Sequence, residues 1–187
     1  MVGIKEIENQ LQQTVTRMLG YDPKLYQDRV RLSWPTDGQP NWKIGEDICF
    51  LRIVPQDDLY NRQRDVSYRD NVTNLIRKDQ YTRVLSVFFI FYGPNSFDRA
   101  EDIRYKVLLP EWKYELARIK LFALTEIPAP VRIPELFQGR WWERSDLSVQ
   151  FNQLISRESE VPAIEGAGIV IKQECGKETV INETVPN

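Results

Sequence analysis

Leu147-Ser148-Val149-Gln150-Phe151-Asn152 alternates apolar and polar residues without a break. A strand sends successive side chains to opposite faces, so Leu147, Val149 and Phe151 share one side and Ser148, Gln150 and Asn152 the other. The pattern predicts a half-buried strand within 141–155, and its apolar side needs a covering layer. Upstream, Ile4, Ile7, Leu11, Val15 and Met18 recur every three or four residues, the period of one helical face. Gly20 and the following Tyr21-Asp22-Pro23 stop that helix near Leu19, because glycine accepts a left-handed backbone and proline cannot continue the ladder.

Between these two elements the sequence predicts short strands at 29–33 and 48–54 and a longer one at 80–92, rich in β-branched and aromatic residues. Trp34-Pro35-Thr36-Asp37-Gly38-Gln39-Pro40-Asn41-Trp42 is turn-forming, with two tryptophans that are unusual in a turn. After Gly93-Pro94, Asn95 suits an N-cap with Asp98 in the first turn, opening a helix whose inner face is Phe97, Ala100, Ile103 or Arg104, and Val107. Pro110 ends it or separates it from a second short helix over 112–121. The stretch 122–133, with Pro128 and Pro130 inside it and Pro134 next to it, suits an edge strand or an extended connector. Ser156–Pro162 reads as a hydrophilic turn, after which 164–172 would pair back on the preceding strand as a hairpin. The order of helix, strands, helices, strands indicates an α+β fold, one domain over residues 1–172 and a polar C-terminal arm at 173–187. From Glu158 onward six acids face two lysines, a local charge of −4.

With 187 residues, 42% hydrophobic and 28% charged, the chain suits one compact core rather than a disordered or coiled-coil protein. A net charge of −2 gives no general attraction to nucleic acid or to an acidic membrane surface. The absence of histidine removes Ser-His-Asp and Cys-His nucleophiles and histidine metal sites. Cys49 and Cys175 are too few for a zinc site or a disulfide framework, and both read as free thiols of a reducing compartment. The N-terminus lacks the pattern of a signal peptide, which points to the cytosol. The longest apolar run, Val87–Tyr92, is far short of the roughly 18 residues that span a bilayer.

Glu111-Trp112-Lys113 is the Glu-x-Lys half of a Mg²⁺-dependent nuclease site, but its partner acid should come from a neighbouring strand, whereas Asp98 and Asp102 fall on a helix. An acid after a helix-starting proline is also favoured by the dipole alone. The glycines make no phosphate-binding loop. Asp57–Asp70 carries Tyr60, Arg62, Arg64, Tyr68 and Arg69 among acids that cancel the positive charge. Its apolar residues are too few to bury a face, so it reads as a loop entering an exposed, protruding hairpin arm. Tyrosine and arginine with mixed charge suit a protein partner, and a merely solvated loop accounts for the same pattern. Trp141-Trp142 is the second oddity: on a strand one of the pair can enter the core while the other faces outward, either as an interface anchor or packed under the proline-rich connector.

Longer strings carry a resemblance. Tyr81-Thr82-Arg83-Val84-Leu85, Tyr92-Gly93-Pro94-Asn95-Ser96-Phe97-Asp98-Arg99-Ala100 and Gly139-Arg140-Trp141-Trp142-Glu143-Arg144-Ser145-Asp146-Leu147 onward to Asn152 look like the phage neck-terminator, or tail-terminator-like, family, as does Trp34-Pro35 with Gly38-Gln39-Pro40. The likeness runs from about Leu11 to Lys172 in order. It implies a curved, mainly antiparallel sheet backed by helices, and a non-enzymatic virion protein without cofactor or catalytic residues. Such a protein, assembled in the bacterial host cytoplasm, would form a hexameric ring that ends the tail tube. Its partners would be further copies of itself, the tail tube protein and a head completion or stopper protein. DNA would pass only through the lumen, and no membrane would be involved. The expected interface comprises Tyr60, Arg62, Arg64, Tyr68, Arg69, Trp141, Trp142 and Arg144. The alternative is a Mg²⁺-dependent nuclease or DNA-handling protein using Glu111 and Lys113.

Overall fold

The computed structural model describes residues 3–22, 24–26, 28–34, 38, 41–71, 74–162, 166–172 and 178–184. Contacts divide the chain into two units, residues 1–64 with 80–155, and residues 65–79 with 156–187. The fold is mixed α+β, a largely antiparallel, curved and unclosed sheet with, among the described residues, three α-helices.

In the first unit, α1 (Ile4–Met18) buries Ile7, Leu11, Thr14, Val15 and Met18 and ends where Gly20 takes a φ of 78°. It packs on β1 (Val30–Leu32), β2 (Ile48–Pro55), α2 (Ser96–Lys106) and α3 (Pro110–Arg118). β1 runs parallel to β2, and β2 runs antiparallel to β4 (Asn74–Tyr92), with Leu51 opposite Phe89 and Ile53 opposite Val87. β4 neighbours β9 (Arg144–Pro162), which pairs with the edge strands β5 (Leu121–Ala123) and β6 (Val131–Arg132). Cys49, Leu51, Ile53, Leu85, Val87, Phe89, Phe91, Leu147, Val149 and Phe151 join the helices in the main core. Within this face lies Gln153, buried but satisfied, its amide oxygen accepting from Arg83 Nε at 3.0 Å. Cys49 is a free thiol whose pKa burial pushes well up; Cys175 lies outside the described residues, as does most of the turn at 35–40.

α2 starts at Asn95 as its sequence suggests, but the side chain does not cap the helix. Both the backbone N–H and Nδ2 of Asn95 donate to the Asp47 carboxylate instead, at 3.1 and 2.9 Å. Pro110 opens α3 at its first turn, where a missing N–H costs nothing. β5 and β6 are edge pieces, in keeping with the prolines around them.

In the second unit, the charged segment read as a loop contains a regular strand, β3 (Asp65–Asn71), paired with β4. Ser156–Pro162 is no turn: it continues β9. The reason is common to both. Residues 65–70 and 156–160 are all exposed, so neither stretch has a buried face to impose an apolar alternation. β10 (Gly166–Lys172) pairs with β11 (Glu178–Thr184), not with β9, placing Ile169 opposite Ile181 and Val170 opposite Val180. The predicted arm at 173–187 thus holds a strand; Ile164, Glu165, residues 173–177 and residues 185–187 lie outside the described residues.

Candidate functional site

The predicted strand over 141–155 is broken near its start. Arg140–Trp142 forms β8, which pairs with β7 (Glu135–Phe137) as a separate two-stranded ribbon. Gln138 and Gly139 join them with φ angles of 50° and 72°, the left-handed pair that matches the twist of a tight hairpin. The register sets Leu136 opposite Trp141, so these side chains share a face, and they are 61% and 65% exposed. Phe137, Val131 and Ile133 are exposed beside them in the sequence. Apolar side chains concentrated in so short a segment mark an interaction surface more often than a solvated one.

Trp142 faces the other way. Its ring meets Trp42 edge-on at 6.0 Å and Phe137 at 6.1 Å, and Trp42 continues to Phe50 at 5.2 Å and Tyr92 at 5.8 Å. Edge-to-face contacts of this kind hold a ribbon in one orientation at little entropic cost. Arg144 supplies the polar fastening: Nε and Nη2 donate to the two Asp146 oxygens at 2.8 and 2.6 Å, and Nη1 meets Glu135. Its carbon Cζ also lies 5.7 Å from the Tyr92 ring centre. The bidentate bond to Asp146 raises the guanidinium pKa further, against the opposing effect of burial.

Tyr92 Oη donates to Glu135 Oε2 at 2.8 Å, and its pKa is pushed up to about 12, first by burial and then by that hydrogen bond. A raised pKa means that the stability linked to the neutral phenol is complete below the unfolded value near 10 and is lost as pH climbs through about 12. The stability of Tyr92→Phe is therefore expected to fall less steeply than wild type between pH 10 and 12 in urea titrations. Parallel profiles would remove Tyr92 from the alkaline response.

The other expected interface residues lie elsewhere. Tyr60 is exposed in a 3-10 turn, Leu59–Asn61, whose N-cap Asp58 accepts the Tyr60 N–H. Arg62 pairs with Asp57 at 3.1 Å, both well exposed, and Arg64 stands over the Tyr81 ring at 5.6 Å. Tyr68 and Arg69 belong to β3 in the second unit, where Tyr68 is exposed and Arg69 reaches Glu158 at 4.0 Å. An exposed ion pair of that length contributes little by itself. Glu111 and Lys113 are exposed on α3, and among the described residues no three acids or thiols come together as metal ligands would. The nuclease alternative thus gains no support. Among those residues, too, no helix is long and apolar enough to cross a membrane.

Sequence reasoning did not find Leu136, Phe137, Trp42 or Tyr92 as parts of this site. The one usable signal was Gln138-Gly139 between apolar residues, weaker than Asn-Gly because glutamine seldom takes a positive φ.

No curated protein sequence gives a significant match to the chain. A family model does, over residues 5–174, a span that includes α1 from Lys5 onward, the whole of the main core and the Trp141 ribbon. On that match, the chain belongs to the phage neck terminator protein family.

Proposed function

We propose that this structural phage neck protein forms a ring that ends the tail tube and joins it to head completion or stopper proteins, with DNA crossing only the lumen. The observation that carries the reading beyond family membership is the Leu136–Trp141 face: large, apolar, exposed, and fixed from behind by aromatic contacts and the Arg144 ion pairs. A preformed anchor of that type suits a permanent assembly, since little ordering is left to be done on binding. Ring closure calls for contacts between unlike surfaces of successive subunits. Tyr60, Arg62, Arg64, Tyr68 and Arg69 supply further contact positions, and the polar segment 173–187 a terminal arm. The hexamer is the subunit count taken from the family resemblance, and assembly belongs to the cytoplasm of the bacterial host.

Light scattering of the purified protein, alone and with its tail tube protein, tests this. A discrete ring mass under either condition is the expected result. A persistent monomer that does not bind the tube would overturn it.

A further inference from the structure

All three helices join one face of the main sheet, through the core cluster of Leu51, Phe89, Phe151 and their neighbours. The opposite face carries Phe50 and Arg52 of β2 beside their register partners on β4, Ile90 and Phe88. Arg52 is half-buried there, its Cζ 4.5 Å from the Phe88 ring centre and 5.8 Å from that of Trp34, which is 71% exposed. Two rings hold the guanidinium in place, yet its Nε is buried without an acceptor among the described residues, and no carboxylate there pairs with it. Other partly buried arginines of the unit do have a partner: Arg83 has Gln153, Arg99 has Asp47 and Arg144 has Asp146. Two further buried donors on the same face lack an acceptor. One is Ser33 Oγ, whose residue extends β1 by donating its N–H to Leu51 O at 2.9 Å; the other is Trp42 Nε1, whose ring meets Phe50 at 5.2 Å. Folded chains leave few buried polar groups unsatisfied, so three on one sheet face mark a surface that an outside acceptor completes. With a cation among them, that acceptor is an anion.

A single cation among aromatic rings does not track a phosphate backbone, which calls for a row of them, so the anion that fits is a protein carboxylate. The chain itself supplies one. A net charge of −2, with −4 from Glu158 onward, leaves +2 on residues 1–157, so the C-terminal part of one copy and the body of another attract. β10 and β11 form a two-stranded sheet of their own, a ribbon that is marginal without an apolar surface to lie on. Its register sets Ala167 opposite Glu183, Ile169 opposite Ile181 and Ile171 opposite Thr179, and strand alternation puts these six positions on one side. That side is mostly apolar, and Glu183 is its one charged position. We infer that this side of the β10–β11 ribbon of one subunit lies on the Arg52–Phe88–Trp34 face of a second copy, with Glu183 meeting Arg52. The inference rests on the ring reading and gives the C-terminal arm its landing place. The two surfaces are unlike, so the contact is head-to-tail, the kind that generates rings.

The test is sedimentation of the full chain, with and without tail tubes, over a concentration series. Trp34→Ala is expected to keep the wild-type melting curve, because the side chain is exposed, while self-association weakens about tenfold or more. Arg52→Glu and Glu183→Arg are each expected to weaken it, and together to restore it. Singles that weaken without mutual rescue, or variants that assemble like wild type, would overturn the Arg52–Glu183 contact while leaving the ring intact; if Arg52→Glu does not fold, Trp34→Ala and Glu183→Arg decide the matter. A photoactivatable phenylalanine at position 34, in a mixture of isotopically heavy and light chains, should crosslink to residues 166–184 of another copy. A crosslink to the same chain, to the tube protein or to added DNA instead would also overturn the contact. A wild-type protein that never self-associates in either setting would overturn both this inference and the ring.

Discussion

Phe151→Ala is expected to lower folding stability by about 3–5 kcal/mol, the range for emptying an aromatic site in a packed core. That is a large fraction of the roughly 5–15 kcal/mol that holds a domain together. The side chain is fully buried on β9, opposite Ala123 of β5, in a cluster with Leu147, Val149 and the residues that α1, α2 and α3 press onto the sheet. Two features argue for the upper half of the range. β9 neighbours β4 on one side and β5 on the other, so its backbone cannot move far to close the cavity. Leu116 and Leu121, members of the same core cluster, are themselves fully buried and have little room to move into the void. A fall in the urea midpoint at unchanged slope would confirm the cost as one of native packing. A loss below about 1 kcal/mol would mean that the core repacks around the void.

The same residue shows why part of the fold was readable. Phe151, Val149 and Leu147 lie on one face of a strand that has a buried side, and α1 has a buried stripe, so burial leaves its period in the sequence. Residues 65–70 of β3 and 156–160 of β9 are exposed on both faces, and backbone pairing by itself selects no residue pattern, which is why they read as loop or turn. The partner of β10 was misassigned for a related reason: its apolar run was plain, but the matching Val180-Ile181 pair sits in a segment otherwise polar. Opposite orientations for Trp141 and Trp142 followed from strand geometry. The cluster that receives Trp142 did not, because Tyr92 lies far along the chain from Trp42 and Phe50, and only the sheet register brings Phe50 and Tyr92 together. Arg144, one of the residues expected at the interface, fixes the base of the ribbon, its guanidinium engaged with Asp146 and Glu135.

Gly93→Ala is expected to cost about 2–4 kcal/mol, more than the same change at Gly3, Gly20, Gly38, Gly45 or Gly139, where an added Cβ meets nothing. Gly93 links β4 to α2 with a φ of 116°, a conformation that side chains rarely adopt. A Cβ there would stand 2.5 Å from Asp47 Oδ1, 2.6 Å from the Glu46 carbonyl oxygen and 2.8 Å from Asp47 Cα. Two of these three are backbone atoms, and the third belongs to a carboxylate held by Asn95 and by Arg99 at 3.9 Å. Nothing in that set can rotate away cheaply. Gly93 also donates its N–H to the Glu143 carbonyl at 3.1 Å, beside Trp142 and Arg144, so a shifted Gly93 would loosen the base of the β7–β8 ribbon as well. Gly139→Ala is the matched control: its φ is 72°, but no atom lies within 4 Å of an added Cβ, which leaves only the left-handed backbone cost of about 1–2 kcal/mol. For a chain of this size each kcal/mol lowers the melting temperature by roughly 2–4 °C, so the Gly93 variant should melt several degrees below the Gly139 variant. Equal melting temperatures would show that the Asp47 turn yields, and with it the claim that Gly93 is held by close packing rather than by backbone angle alone would fall.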